Sequence, residues 1–74
     1  MADLTPVKSS NIAAVGYNAG SRIMTVQFNS GQTHDYSDVP PHIHQGLMGA
    51  DSAGGFFHRN VRDAFSSRRV DEDE

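Results

Sequence analysis

The sequence of 74 residues contains no cysteine, which excludes disulfide bonds and any metal site built on thiolates. It also lacks an apolar run close to the roughly 20 residues that a membrane-spanning helix needs. The first ten residues lack the apolar stretch of a signal peptide. These absences predict a soluble cytoplasmic protein without membrane association. Because a chain this short buries only roughly 60% of its unfolded surface, a homodimer is one remaining source of stability.

Acidic residues outnumber basic ones overall, but the excess lies at one end of the chain. The formal net charge is −3, and residues 71–74 read Asp-Glu-Asp-Glu. Residues 1–70 hold six basic side chains and five acidic ones, and most of the arginines follow residue 58. This asymmetry allows the basic segment to bind an anion, or the acidic tail to screen it. The simpler alternative is a solvated end that keeps the protein soluble.

Alternating apolar residues separated by glycine turns predict three strands. Met24, Val26 and Phe28 point to one side of the chain, as expected for a half-buried strand. The segments 18–21 and 29–31 contain the small and polar residues of tight turns, which favours antiparallel neighbours. The predicted strands cover residues 12–17, 22–28 and 32–37.

The first predicted strand has an irregular beginning. Val15 and Tyr17 share a face by the two-residue period, whereas Ile12 is out of phase with them. Ile12 therefore either packs where the chain enters the strand or lies beside a β-bulge.

Two short helices are predicted after the strands. Prolines at 40 and 41 end the sheet and suit the first turn of a helix. Ile43, Leu47 and Ala50 then form one apolar stripe. A second helix is predicted over residues 55–65, with an apolar stripe of Phe57, Val61, Ala64 and Phe65.

Together these elements predict an α+β fold, in which a three-stranded antiparallel β-meander is followed by two short α-helices packed on one face. The opposite face, with Thr25 and Gln27, is expected to stay wet or to form an interface. The predicted organisation is a loose lead-in over 1–8, a single domain over 9–65 and a frayed acidic tail over 66–74.

Five short motifs in this order resemble the KTSC domain family. The resemblance extends from residue 7 to about residue 65. The family is named for a C-terminal segment of some lysyl-tRNA synthetases and also occurs as small stand-alone proteins of bacteria and phages. Its function is not established, and RNA binding is a suggestion made for it. The motifs are V-x-S-S-x-I at 7–12, V-x-Y at 15–17, a match to L-x-V-x-F at 24–28, a match to G-x-x-Y-x-Y-x-x-V-P at 31–40, and a match to S-x-G-x-[YF]-F-x-x-x-I-[KR] at 52–62.

Two of the departures from the family pattern introduce a histidine. His34 replaces the first of the paired tyrosines, and His58 replaces the asparagine that follows the phenylalanine pair. A histidine at position 34 can still stack on a base, though more weakly than tyrosine. If the position is in the core, the imidazole needs a polar partner or a place at the edge.

The residues of nucleic-acid binding are cations for phosphates and flat side chains for bases. Arg59 and Arg62 are three positions apart on the predicted helix and are expected to project similarly. Tyr36 and His34 supply the rings. These four residues are the candidate site for weak binding of single-stranded RNA. The alternative is a solvated helix face with Tyr36 in the core.

A small anion has a candidate site at the glycine-rich break before the second helix. Ser52, Gly54 and Gly55 precede the exposed backbone N–H groups of its first turn. The segment lacks the lysine of a P-loop. The alternative is that Ser52 is the N-cap and that the glycines let the helix approach the sheet.

Metal binding and catalysis find little support in the sequence. His42 and His44 point roughly 200° apart on a helix, so they do not readily share a metal. There is no strained nucleophilic serine of the G-x-S-x-G type. The sequence therefore predicts a non-catalytic binding module without metal or cofactor, with weak binding of RNA or other single-stranded nucleic acid as its candidate function. The alternative is a protein-interaction or accessory module that forms a homodimer or docks on a host protein.

Overall fold

The computed structural model describes residues 4–7 and 9–70, which form a five-stranded antiparallel sheet and two helices. The order of the strands in the sheet is their order in the chain. The α+β class predicted from the sequence is confirmed. In chain order the elements are β1 (Thr5–Pro6), β2 (Ile12–Asn18), β3 (Ile23–Phe28), β4 (Thr33–Tyr36), α1 (Pro41–Gly49), α2 (Ala53–Asn60) and β5 (Ser67–Arg69).

The predicted number of three strands is wrong, because β1 and β5 extend the meander at its two edges. These strands lie in segments that were predicted to be a lead-in and a frayed tail. They have two and three residues, all exposed, so no alternation of apolar residues marks them. Pro6 is tolerated because β1 is an edge strand. The acidic residues of the predicted tail, 71–74, lie outside the described residues.

An irregularity near the start of β2 allows Ile12 to be buried together with Val15, although the two are out of phase in the sequence. The register between β2 and β3 shifts between Ile12 and Ala14, as in a β-bulge. Ile12 and Val15 are consequently both fully buried. The bulge is the second of the two alternatives that the sequence offered for Ile12.

One face of the sheet carries the core and receives both helices. Register places Tyr17, Met24 and Tyr36 side by side across β2, β3 and β4. From α2, the Phe57 ring contacts Tyr36 edge to face, with ring centroids 5.3 Å apart. From α1, the His44 ring stacks on Tyr17 at 4.9 Å. The buried core consists of Ile12, Val15, Met24, Val26, Tyr36, Val39, Leu47, Ala53, Phe57 and Val61.

The helices approach each other closely at Gly46. A Cβ atom built at this position would lie only 2.7 Å from Cζ of the Phe56 ring on α2. Glycine therefore allows the ring to lie directly against the backbone of α1. Within the described residues, neither helix is long and apolar enough to cross a membrane.

Helix α2 begins earlier and ends earlier than predicted. The Ser52 hydroxyl accepts a hydrogen bond from the Gly55 N–H at 3.2 Å and so caps the helix. The N–H groups of Val61 and Arg62 both donate to the Phe57 carbonyl oxygen at 2.9 Å. Val61 has left the helical region, at φ −121° and ψ −48°. The apolar spacing continues past Asn60, but the helix does not.

Candidate ligand-binding cleft

A cleft of about 690 Å³ opens between α2 and the ends of β3 and β4. It lies at the edge of the sheet face that the helices cover, where the turn between these strands faces α2. The cleft combines aromatic rings, neutral polar groups and one arginine. Its lining residues are Ser10, Asn11, Phe28, Asn29, Ser30, Gln32, His34, Tyr36, Gly54, Phe57, His58 and Arg62.

Four aromatic rings form the floor of the cleft. The strands place Phe28, His34 and Tyr36 on the same face of the sheet. Phe28 meets His34 edge to face at 5.6 Å and meets Phe57 in the same manner at 5.4 Å. Such edge-to-face contacts are the favoured geometry of aromatic pairs. They join the cleft floor to the core.

Tyr36 lies deep in this floor, with 5% of its surface exposed. Burial raises the pKa of its phenol, while a hydrogen bond with the Ser67 side chain and the positive charge of Arg62 act in the opposite direction. The net shift is upward, so the hydroxyl keeps its proton at neutral pH. Ser67 belongs to β5, and the strand missed by the sequence analysis therefore supplies the partner of this hydroxyl.

The wall formed by α2 and the residues after it carries the positive charge. Arg62 Nη1 donates a hydrogen bond to Nδ1 of His58 at 3.1 Å. Because a guanidinium can only donate, the imidazole accepts through Nδ1 and its neutral form carries the proton on Nε2. Both side chains are exposed. This bond uses one of the five N–H groups of the guanidinium and holds it beside the cleft.

Hydrogen bonds fix the polar end of the cleft, next to the first turn of α2. The Ser9 hydroxyl accepts from the N–H groups of Asn11 and Ile12, at 3.1 and 3.2 Å. The Asn29 side-chain amide donates to the Ser9 carbonyl oxygen at 3.1 Å. A Cβ atom at Gly54 would lie 3.0 Å from the Ser9 hydroxyl, so glycine lets α2 approach this network. The sequence motif V-x-S-S-x-I thus builds one end of the cleft.

Comparison with known proteins identifies the domain type. The family described as "KTSC domain" matches residues 8–65, which is most of the chain. This chain belongs to the KTSC domain family. The resemblance seen in its sequence motifs is confirmed.

Relatives of this KTSC domain include a solved structure. A crystal structure of a KTSC domain protein from Yersinia pestis superposes with a TM-score of 0.89 and 35% identity, and the match covers 95% of this chain and 99% of that one. A protein of Tsukamurella paurometabola is 37% identical over 62 residues, which is 84% of this chain and 92% of the relative. A lysine–tRNA ligase of Nostoc punctiforme is 29% identical over 63 residues, 85% of this chain but 11% of that enzyme.

The KTSC fold brings four of the predicted site residues together. These four residues come from different parts of the chain, and all of them line the cleft. Arg59 does not line it. Its Nη1 atom lies close to Gly55, 3.4 Å from where a Cβ atom of that glycine would be. The four residues in the cleft are His34, Tyr36, Gly54 and Arg62.

Only one of the three residues of the predicted anion site lies in the cleft. Gly54 lines the cleft, whereas Ser52 and Gly55 do not. The Gly55 N–H already donates to the Ser52 hydroxyl, so the cap occupies one of the donors that an anion at this helix end would use. The alternative interpretation of Ser52 as an N-cap is therefore confirmed.

Several polar residues of the cleft were not predicted from the sequence. Asn29 and Gln32 were interpreted only as turn and strand residues, and His58 only as a departure from the family pattern. Nothing in their local pattern shows that the turn after β3 faces α2, because that contact depends on packing. The available signal was the departure from the family pattern at His58, which lines the same cleft as His34.

Two histidines of α1 lie apart from the cleft. His44 stacks on Tyr17, and burial lowers the pKa of its imidazole. His42 is exposed. Among the described residues, no three histidine, aspartate or glutamate side chains come together as a metal site.

Proposed function

We propose that this KTSC domain is a non-catalytic module that binds single-stranded nucleic acid in the cleft, with RNA as the first candidate. The observation that carries the proposal is that Arg62, His34 and Phe28 line one concave surface. A cation for phosphate and rings for base stacking are the two groups that sequence-tolerant binders of single strands combine.

The polar rim of the cleft supports RNA over DNA. Asn11, Asn29 and Gln32 present amides that can both donate and accept hydrogen bonds. Such groups suit unpaired base edges and the 2′-hydroxyl that distinguishes RNA. Similarity to a segment of a lysine–tRNA ligase, an enzyme whose name specifies an RNA substrate, points in the same direction.

Arg62→Gln is expected to weaken binding of a fluorescent oligouridine by at least about tenfold at low salt, since a hydrogen bond to a charged group is worth about 1.5–3 kcal/mol. The matched control is Arg59→Gln, which removes the same charge from the same segment but outside the cleft lining. It is expected to change the affinity by less than about threefold. Fluorescence anisotropy measures both variants.

Two results of this titration would count against the proposal. Equal losses for Arg62→Gln and Arg59→Gln would indicate general attraction to the arginines rather than binding in the cleft. If the unchanged protein binds no oligouridine at low salt, the proposal that nucleic acid is the ligand is wrong. Thermal unfolding of both variants shows whether they remain folded.

A second candidate function is a protein-interaction or accessory module that acts through the sheet edge. Within the described residues, β5 is the last strand of the sheet and has a strand neighbour on one side. Its residues Ser67, Arg68 and Arg69 are all exposed. An edge strand of this kind can pair with a second copy or with an extended segment of a host protein. The homodimer predicts a mass that rises with concentration in sedimentation equilibrium, and a constant monomer mass up to high concentration would contradict it.

A further inference from the structure

We propose that the cleft accepts a single nucleotide, with its base against His34 and Phe28 and its phosphate at Arg62. The inference rests on the proposed function and narrows its ligand. It distinguishes a site that holds one nucleotide of a strand, or a free mononucleotide, from a groove that follows a strand over many phosphates.

The size of the cleft fits one small ligand. Its volume of about 690 Å³ lies in the range of roughly 300–1,000 Å³ that is typical of small-molecule sites. The hydrogen-bonded network around Ser9 limits the cleft at one end, and α2 forms a wall along one side. Domains that follow a single strand instead offer a long groove for about 4–16 nucleotides.

The positive charge in the cleft is enough to bind one phosphate. Among the described residues, Arg62 is the only lysine or arginine in the lining. Its charge acts on the Tyr36 hydroxyl, which places the guanidinium at the Tyr36 side of the floor. The lining also includes the uncharged polar side chains of Ser10, Asn11 and Asn29. The cleft thus has a cation for a phosphate and polar groups suited to the edge of a base.

The partly exposed aromatic rings of the cleft can contact one base. Tyr36 and Phe57 are 5% and 7% exposed, so their faces are largely occupied by the core. Phe28 and His34 are only partly buried, and their rings meet edge to face at 5.6 Å. Because the two rings are nearly perpendicular, a flat base can stack on one of them while its edge meets the other.

The test compares uridine, uridine 5′-monophosphate, inorganic phosphate and oligouridines of two, four and eight nucleotides. Binding is followed by chemical-shift titration of the full chain at low salt, and affinities are expressed per nucleotide. We expect the monophosphate to bind within about threefold of the longest oligouridine, and uridine about tenfold more weakly. For the longest oligouridine, contact through one phosphate predicts a slope of log K against log salt of about −0.7. Arg62→Gln should abolish the higher affinity for the monophosphate than for uridine, whereas Arg59→Gln should preserve this difference in affinity.

The outcomes separate this inference from the function on which it rests. An affinity per nucleotide that rises with every added nucleotide, with a salt slope of several phosphates, overturns the single-nucleotide site and leaves nucleic-acid binding standing. Inorganic phosphate that binds as tightly as the monophosphate shows that no base is held, and also overturns it. An unchanged phosphate advantage in Arg62→Gln does the same. No binding by any of the probes overturns both proposals.

Discussion

Phe57→Ala is expected to lower the free energy of unfolding by about 3–5 kcal/mol, the range for truncating a buried phenylalanine. Phe57 is 7% exposed, and its ring makes edge-to-face contacts with Phe28 and Tyr36. Removing it leaves a cavity between α2 and the sheet and takes away both ring contacts. Since a domain has about 5–15 kcal/mol of stability in total, this loss is a large fraction of that total, and the midpoint of urea denaturation is expected to fall accordingly.

Urea denaturation followed by circular dichroism measures this loss, with Phe57→Leu as the control. Leucine keeps most of the buried apolar volume but not the ring contacts, so its cost is expected to be smaller, about 1–2 kcal/mol. A loss below about 1 kcal/mol for Phe57→Ala would contradict the role of this ring as the link between helix, core and cleft floor.

Gly46→Leu is expected to destabilise the protein by about 2–3 kcal/mol, through overpacking between the two helices. A Cβ atom at this position would lie 2.7 Å from Cζ and 3.0 Å from Cε2 of Phe56, so either the ring or α1 must move. Leucine favours a helix over glycine by about 0.8 kcal/mol. That gain is smaller than the cost of displacing an aromatic ring packed against the core.

Gly49→Leu is the matched control, because it makes the same exchange on the same helix. Gly49 is exposed, and a Cβ atom there would meet nothing within 4 Å. Its stability is expected to stay the same or to rise by up to about 0.8 kcal/mol. Equal effects at the two positions in urea denaturation would show that close approach of the helices at Gly46 does not matter.

The central strands were predictable from the sequence because each is long enough to show which side is buried. Met24 and Val26 are fully buried in β3, and Thr25 between them is only partly buried. On the opposite face, the Thr25 hydroxyl donates to the Asp35 carboxylate at 2.6 Å. The alternation of apolar and polar residues therefore corresponds to a real difference in burial between the two faces of the sheet. The edge strands, of two and three exposed residues, have no such difference to report.

The cleft was only partly predictable, and the two arginines show why. Arg59 and Arg62 were expected to project similarly, on the assumption that one helix carries both. Helix α2 ends at Asn60, and Val61 departs from helical geometry. Arg62 therefore lies beyond the helix and bonds to His58, whereas Arg59 stays near Gly55. Helical spacing locates side chains only as far as the helix extends, and residue propensities determine its end poorly when glycines precede it.

The fifth strand also affects how the chain closes on itself. The central strand pairs join neighbours in sequence through short turns, so they form at little entropic cost. The pairing of β4 with β5 instead encloses residues 37–66, which include both helices. Loop-closure entropy grows with the logarithm of loop length, but helices that have already docked shorten the effective loop. The last strand therefore depends on the helices for its place, whereas the central hairpins close without it. A fragment that stops at residue 65 lacks Ser67, the side chain that forms a hydrogen bond with the Tyr36 hydroxyl.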